Sequence, residues 1–493
     1  MSDARAVENA TPEPSRARRR LILAICCMSL LIVGLDNTIV NVALPSIGRE
    51  LHTEVSGLQW TVDAYTLVLA SLLMLSGSMA DRLGRRRVFE TGLVLFTLGS
   101  LLCSAAPTLG WLIAFRMLQA VGGSMLNPVA MSIIRNVFTD PRERAQAIGM
   151  WGAAVGLSLA LGPVVGGALV QSAGWRSVFW INIPVGLAAL VLTMRFVPES
   201  RAPRPRRIDP VGQVLVIVLL ASLTYAIIEA PSAGWLSAQS VALFALAAAA
   251  LVGLIAYESR RTEPLLELRF FRSVPFSSAS AIAVCSFAAL GGFLFLNTLY
   301  LQEVRHLSPF TAGLYTLPIA AMTLIFAPLS GRLVGWRGPR AGLLVGGIGI
   351  ALGGGLLTGL TIHTPLDSLL PAYVIFGIGF GMVNPPITTT AVLGMPPAQA
   401  GVAAAVASTS RQVGQTLGVA VAGAIAATAL GVVGPGFVAS SHAAWWVVTG
   451  CGVAVLALGL LSTTGWANAT ARGIAGLDSP PPAREDAVPL IAT

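Results

Sequence analysis

Four ionisable side chains stand inside stretches otherwise too apolar to hold them: Asp36, Asp63, Arg116 and Arg411. Asp36 belongs to Leu35-Asp36-Asn37-Thr38-Ile39-Val40-Asn41-Val42-Ala43-Leu44-Pro45, which closes an apolar run that begins at Leu21. A charge at the centre of a bilayer costs about 2.5–3.5 kcal/mol even on lenient insertion scales, so such a group needs a reason to be there. Two uses fit an acid near an arginine. One is an ion pair that only fixes helix packing. The other is a carboxylate that takes up and gives back a proton as the arginine or a cationic ligand comes and goes. At 1.5 Å per helical residue, Asp36 lies about 13 Å from Pro45, Arg116 about 10 Å past Leu109 and Asp63 about 5 Å into its span. All three fall towards one side, at depths that allow a cluster. Arg411 lies about 15 Å into its own span from the opposite side, near the midplane.

The elements that must position these groups are transmembrane helices. The chain has 493 residues, 55% hydrophobic and only 11% charged, against about 25% charged in soluble domains. Apolar stretches of helix-spanning length are predicted at 21–44, 60–80, 88–106, 109–134, 145–170, 175–196, 212–230, 237–257, 276–300, 311–331, 341–361, 368–394, 401–430 and 443–463. The run at 21–44 is too long for a signal peptide and lacks a small-residue cleavage site, so it reads as a retained first helix. All 31 basic residues are arginines, and they cluster on the side that carries both termini. Only Arg49, Arg176 and Arg305 fall in loops on the opposite side, which predicts cytoplasmic termini. The net charge of +9 is then a topology signal and not a nucleic-acid footprint.

The missing lysine excludes a Walker A nucleotide site and a Schiff base. The five cysteines lie in apolar spans without metal-ligand spacing and read as packing residues. His52, His306, His363 and His442 all fall in outer loops. No metal, cofactor or catalytic residue is expected, and an ion or substrate gradient must supply the energy.

The chain also repeats itself. Gly122-x-x-Met125-x-Asn127-Pro128 recurs as Gly379-x-x-Met382-x-Asn384-Pro385, Asn37-Thr38 as Asn297-Thr298, and Gly77-x-Met79 with Gly84 and Arg86 as Gly331-x-Leu333 with Gly338 and Arg340. The nearly constant offset predicts two six-helix halves in the same orientation, with substrate held between them near the midplane. The expected organisation is a disordered tail over 1–17, an N-terminal half over 18–200, a basic linker with two inserted helices over 201–265, a C-terminal half over 266–465 and a disordered tail over 466–493.

Between the second and third spans stands Gly77-Ser78-Met79-Ala80-Asp81-Arg82-Leu83-Gly84-Arg85-Arg86-Arg87. It resembles the signature loop of the major facilitator superfamily. Arg116-Met117-Leu118-Gln119-Ala120-Val121-Gly122-Gly123 resembles that superfamily's second motif, with Ala120 where glycine is usual. Gly149 and Gly162-Pro163-Val164-Val165-Gly166-Gly167 resemble its antiporter motif, with Ser158 in place of a usual glycine. Residues 35–45, Trp60-Thr61-Val62-Asp63-Ala64-Tyr65, Gly174-Trp175-Arg176, Asn182-Ile183-Pro184 and Arg411-Gln412-Val413-Gly414 are similar to the fourteen-helix drug:proton antiporter family in particular.

The resemblance implies an all-α polytopic fold of two six-helix repeats plus two inserted helices. It implies proton-coupled export of amphipathic drugs or antibiotics across a bacterial plasma membrane, by a monomer that is not an enzyme. An exporter dedicated to a self-made metabolite, or an uptake symporter on the same fold, are the alternatives. Asp36, Asp63 and Arg116 are the expected proton-coupling residues. Gly77, Asp81, Gly84, Arg85 and Arg86 are the expected conformational latch, and Gly162, Pro163, Gly166 and Gly167 the bending, close-packed fifth helix. Gln119 and Arg411 are candidate cavity-lining residues, and Asn41, Asn127, Asn297 and Asn384 either line the cavity or bond helices together. Glu90 is expected to pair with a local arginine, Glu229 to be interfacial, the two inserted helices to be peripheral, and Trp60, Tyr65, Trp111 and Trp175 to be mostly interfacial anchors.

Overall fold

The computed structural model describes residues 15–202, 208–261, 264–393, 395, 400–427 and 435–477. The described residues hold sixteen α-helices and three short 3-10 or π-helical turns, with no strand among them. They are α1 (Arg16–Leu51), α2 (Val55–Leu83), α3 (Arg85–Ser104), α4 (Leu109–Val137), α5 (Pro141–Ala173), the single turn α6 (Ser177–Trp180), α7 (Asn182–Phe196), α8 (Pro210–Ala233), α9 (Ala238–Glu258), α10 (Val274–Leu299), α11 (Pro309–Arg337), α12 (Arg340–Gly355), α13 (Leu369–Val392), α14 (Ala400–Ala427), α15 (Pro435–Ser462) and α16 (Gly465–Leu477). In a bilayer every backbone group must be satisfied within its own segment, which leaves an apolar chain the helix as its default. The ends follow local chemistry. Asp140, Asp209, Ser237, Ser273 and Ser308 cap the first turns of α5, α8, α9, α10 and α11 with their side chains. Gly84, Gly174, Gly234 and Gly338 end helices at positive φ.

Twelve spans among the described residues are long and apolar enough to cross a membrane. Two of the fourteen predicted spans fall short of that measure. The helix at 341–361 is only 16 residues long as α12. The one at 401–430 is diluted along α14 by Arg411, Gln412 and Gln415. The tail expected to be disordered from 466 opens with α16, which packs on α10 and whose Thr470 hydroxyl accepts from Val274 N at 3.0 Å. Residues 1–14 and 478–493 of the two tails lie outside the described residues.

The same packing scheme occurs twice. α3 lies on α4, α2 on α4, α1 on α5 and α3 on α7, just as α12 lies on α13, α11 on α13, α10 on α14 and α12 on α15. Glycines make the close approaches possible. A Cβ at Gly122 would stand 2.3 Å from Phe96 N, and one at its counterpart Gly379 would stand 2.6 Å from Ile350 N. The two groups meet along α2 with α14 and α5 with α11. α8 lies at the edge of the bundle, as expected, but is bonded to it. Gln213 donates to Ser71 O at 2.7 Å and Trp60 Nε1 to Glu229 Oε1 at 3.0 Å, which ties α8 to α2 at both ends, while α8 also packs on α14. α9 packs chiefly on α8.

Gly122→Leu and Gly379→Leu should each destabilise the folded protein in detergent by about 1–3 kcal/mol or more, because a backbone clash cannot be relieved by a rotamer change. Gly149→Leu, with nothing within 4 Å of its Cβ position, should leave the melting midpoint unchanged.

Candidate functional site

Asp36 and Arg116 touch. Arg116 Nη1 donates to Asp36 Oδ2, and both side chains are essentially without solvent exposure. Three more donor and acceptor contacts complete the cluster. Gln119 Nε2 donates to Asp36 Oδ1 at 2.8 Å, Asn182 Nδ2 donates to the same oxygen at 2.9 Å, and Arg116 Nη1 also reaches Gln119 Oε1 at 2.8 Å. Arg116 Nε donates to Thr61 O at 3.2 Å, and the guanidinium lies 4.2 Å from the Tyr65 ring centroid. Asn182 is itself held by Ser100 Oγ at 3.0 Å, whose hydroxyl donates to Phe179 O at 2.9 Å. A buried ion pair repays its desolvation only when its remaining valences are bonded. Here α1, α2, α3, α4, α6 and α7 each supply a partner.

Gln119 therefore acts within the charge cluster. Asn182, Ser100 and Tyr65 carry roles that residue types alone did not reveal. The only signal for Asn182 was its place in a motif of the resemblance. Tyr65 and Trp175 are buried where interfacial anchoring was expected, whereas Trp111 is exposed. Tyr65 covers Arg116. Trp175 Nε1 donates to Glu50 Oε2 at 2.8 Å, and Arg176 pairs with the same carboxylate, pinning the turn after α5 to the end of α1.

Asp63 is not part of that cluster's bonding. It is fully buried, and neither carboxylate oxygen has a hydrogen-bond partner. It lies on α2 between Gln59 and Thr66, at helical spacing on one face. Gln59 Nε2 donates to Ala420 O at 2.8 Å and Thr416 Oγ1 to Thr66 Oγ1 at 2.8 Å, so this is the face turned towards α14.

The second group of helices carries different chemistry at the equivalent place. The repeat aligns Arg116 with Tyr373 and Asn37 with Asn297, and Tyr373 OH donates to Asn297 Oδ1. Phe293, Phe376 and Trp445 pack around that neutral bond, with ring centroids 4.4 to 5.5 Å apart. Asn297 thus bonds helices together, and Asn41 bonds back to Asn37 O on its own helix at 2.9 Å. Asn127 has a buried, unpartnered Oδ1, and Asn384 is half-buried on α13.

The loop between α2 and α3 is a bonded unit. Asp81 pairs with Arg85 at 3.1 Å, whereas Arg86 pairs with Glu90 at 2.7 Å and donates to Met194 O. Glu199, not singled out from the sequence, accepts from Arg86 N and Arg87 N at 3.2 and 3.3 Å. Gly84 sits at φ 115°, and a Cβ there would lie 2.7 Å from that carboxylate, so glycine is required. Gly77 has ordinary surroundings. In α5, Cβ atoms at Gly162 and Gly166 would strike Thr38 and Ile39 of α1, and one at Gly167 would lie 2.4 Å from Pro309 O of α11. Gly313 of α11 in turn accommodates Pro163 O. The glycines of α5 therefore place it between α1 and α11.

Arg116→Gln should cost about 3–5 kcal/mol of stability, because it strands the Asp36 charge in a dry site. Asp36→Asn combined with Arg116→Gln should recover much of that loss. Unfolding of the purified variants in detergent measures both.

A family model described as Major Facilitator Superfamily matches residues 26–419. The multidrug resistance protein Stp of Mycobacterium tuberculosis is 37% identical over 407 residues, 83% of this chain and 76% of that protein. The tetracenomycin C resistance and export protein of Streptomyces glaucescens is 36% identical over 422 residues, 85% and 78% of the two chains. The multidrug efflux pump LfrA of Mycolicibacterium smegmatis is 35% identical over 417 residues, 84% and 82%. Among solved structures, a bacterial homologue of the human lysosomal transporter Spinster superposes with a TM-score of 0.64 at 18% identity, over 95% of this chain and all of that one. A D-xylose–proton symporter superposes with a TM-score of 0.64 at 16% identity, over 90% and 97%. This multi-pass membrane protein, with its two matching sets of packed helices and a charge pair buried in one of them, belongs to the Major Facilitator Superfamily of transporters.

Proposed function

We propose that the chain is a proton-coupled antiporter that exports amphipathic drugs or antibiotics across the bacterial plasma membrane. The reading has fourteen spans, both termini in the cytoplasm, two six-helix halves that move against each other, and a monomer as the working unit. It needs no nucleotide, metal or other cofactor. The relatives named for multidrug resistance and antibiotic export support the direction of transport. The observation that carries the coupling is the Asp36–Arg116 pair, a charge pair kept in a dry interior within one half only.

Asp36, Asp63 and Arg116 are the coupling residues in this reading. Protonation of Asp36 cancels its attraction for Arg116, which still has Thr61 O, Gln119 Oε1 and the Tyr65 ring to hold it. The pair can therefore open without leaving the arginine bare. Asp63 faces the seam between the halves with no donor of its own. A buried carboxylate in that state is relieved by a proton or by a cationic substrate. One charge moved through 100 mV is worth about 2.3 kcal/mol, so a single proton sustains a substrate gradient of roughly fifty-fold from potential alone.

Two further features support alternating access. Bonds between the halves gather where α1 meets α2. Arg49 pairs with Glu303 at 2.6 Å and Gln302 donates to Val42 O at 2.9 Å, both from a π-helical turn at Tyr300–Val304. This is the outer side in the proposed topology, which supports reading these bonds as an outer gate. The α2–α3 loop, with Gly77, Asp81, Gly84, Arg85 and Arg86, is the proposed latch at the opposite end. The tetracenomycin C resistance and export protein among the relatives favours one narrower reading, a dedicated exporter of a single antibiotic.

In everted vesicles, an inward-acid pH step should drive dye accumulation by the wild type, and Asp36→Asn should reduce it to background at normal expression. Retained accumulation would remove Asp36 from coupling, and no proton-linked movement by the wild type would reject the antiport reading. Asp63→Asn should lower transport of cationic dyes at least tenfold more than that of neutral ones; equal losses would assign Asp63 to coupling or structure. A reducible bis-methanethiosulfonate cross-link between Arg49→Cys and Glu303→Cys, long enough to replace the ion pair, should halt transport, and reduction should restore it.

A further inference from the structure

Arg411, in a span of the proposed topology, is a cation for which the described residues supply no counter-ion. It lies in α14 and forms no ion pair among the described residues, and its Nε is buried without an acceptor. Nη2 donates to Thr388 Oγ1 of α13 at 2.6 Å, and Nη1 reaches Ser408 Oγ at 3.5 Å. The acids described in the second helix group do not serve it. Glu303 is taken by Arg49 and Glu267 by Arg269, while Asp367 lies in the turn before α13. The contrast with Arg116 is direct, because that guanidinium holds a carboxylate of its own. A charge kept in an apolar span without a partner is expensive, and an anion that visits the site relieves the cost.

The surroundings state what kind of anion fits. The Phe287 ring of α10 lies 6.0 Å from the Arg411 guanidinium carbon. Phe380 of α13 meets Phe287 edge-on at 5.1 Å between centroids, with an interplanar angle of 67°. Phe380, Asn384 and Thr388 recur every four residues on α13, which places them along one helix face. A guanidinium, hydroxyls and an aromatic pair thus lie together. The place is also right. Five residues further along α14, about 7.5 Å on the helical rise, Thr416 bonds across the seam to Thr66 of α2.

We infer that Arg411, Thr388, Phe287 and Phe380 form an anion-and-ring subsite, and that the exported compounds include amphipathic aromatic acids carried as carboxylates or phenolates. Arg411 binds the anionic group, Thr388 orients the guanidinium and the phenylalanine pair takes the ring system. A membrane potential negative inside favours the outward movement of such an anion. The inference rests on the export reading but does not depend on its proton coupling.

Two measurements test it, with 1-pyrenecarboxylate and its methyl ester as probes. Purified wild-type protein should bind the acid saturably and at least tenfold more tightly than the ester. Arg411→Gln should reduce that preference about tenfold, and Arg411→Lys should keep part of it. Absence of saturable acid binding by the wild type, an unchanged preference in Arg411→Gln, or equal losses for acid and ester would each overturn the subsite. In vesicles, efflux of the acid should follow the same ranking. Failure of proton-linked movement with binding preference intact would reject the coupling and leave the subsite standing.

Discussion

A charge pair sealed from water governs the arrangement of the first helix group. Asp36 and Arg116 stay buried because further bonds offset the loss of water, from Gln119, Asn182, the Thr61 carbonyl and the Tyr65 face. Together with the pair itself, and with the Ser100 hydroxyl and Phe179 carbonyl that stand behind Asn182, those partners come from six helices. The ion pair thus sets where α1, α2, α3, α4, α6 and α7 lie relative to one another, and a shift of any one breaks a bond in a medium that offers no water to replace it.

The second helix group shows what the same scaffold looks like without that constraint. Tyr373 and Asn297 make one neutral bond at the equivalent crossing, wrapped by Phe293, Phe376 and Trp445. Packing is otherwise alike, down to glycines at matching approaches. Polarity has therefore been concentrated in one group, while the other keeps Arg411 as its one deep charge among the described residues. That division fits the proposed mechanism, in which one half handles protons and both halves touch the cargo.

Contacts across the seam divide by kind. At the α1–α2 end they are specific and polar, from Arg49, Gln59, Gln302 and Glu303. Along α5 and α11 they are glycine-lined and tight, with Gly167 and Gly313 admitting backbone from the opposite helix. Polar bonds between the groups can exchange for water at a membrane surface, whereas smooth glycine faces permit sliding in the interior. α8 adds a third kind, being tied by Gln213 and Glu229 to α2 while it rests on α14.

Residue order alone determined twelve of the fourteen expected spans, the internal repeat and the four charges that needed an explanation. Hydropathy and repeat spacing are properties of the chain, and a bilayer leaves no alternative to the helix. Depth along a helix also follows from counting, which put Asp36 and Arg116 at similar levels. Rotation about the helix axis does not follow from counting, because it is set by neighbours far away in the chain. Only the tertiary structure decided that Asp36 meets Arg116 while Asp63 faces α14 alone, and that Gln119 and Asn182 complete the pair. Packing likewise buried Tyr65 and Trp175, and it gave Arg86 to Glu90 and left Asp81 with Arg85. In each case the sequence names the groups, and long-range packing chooses which of them share one dry volume.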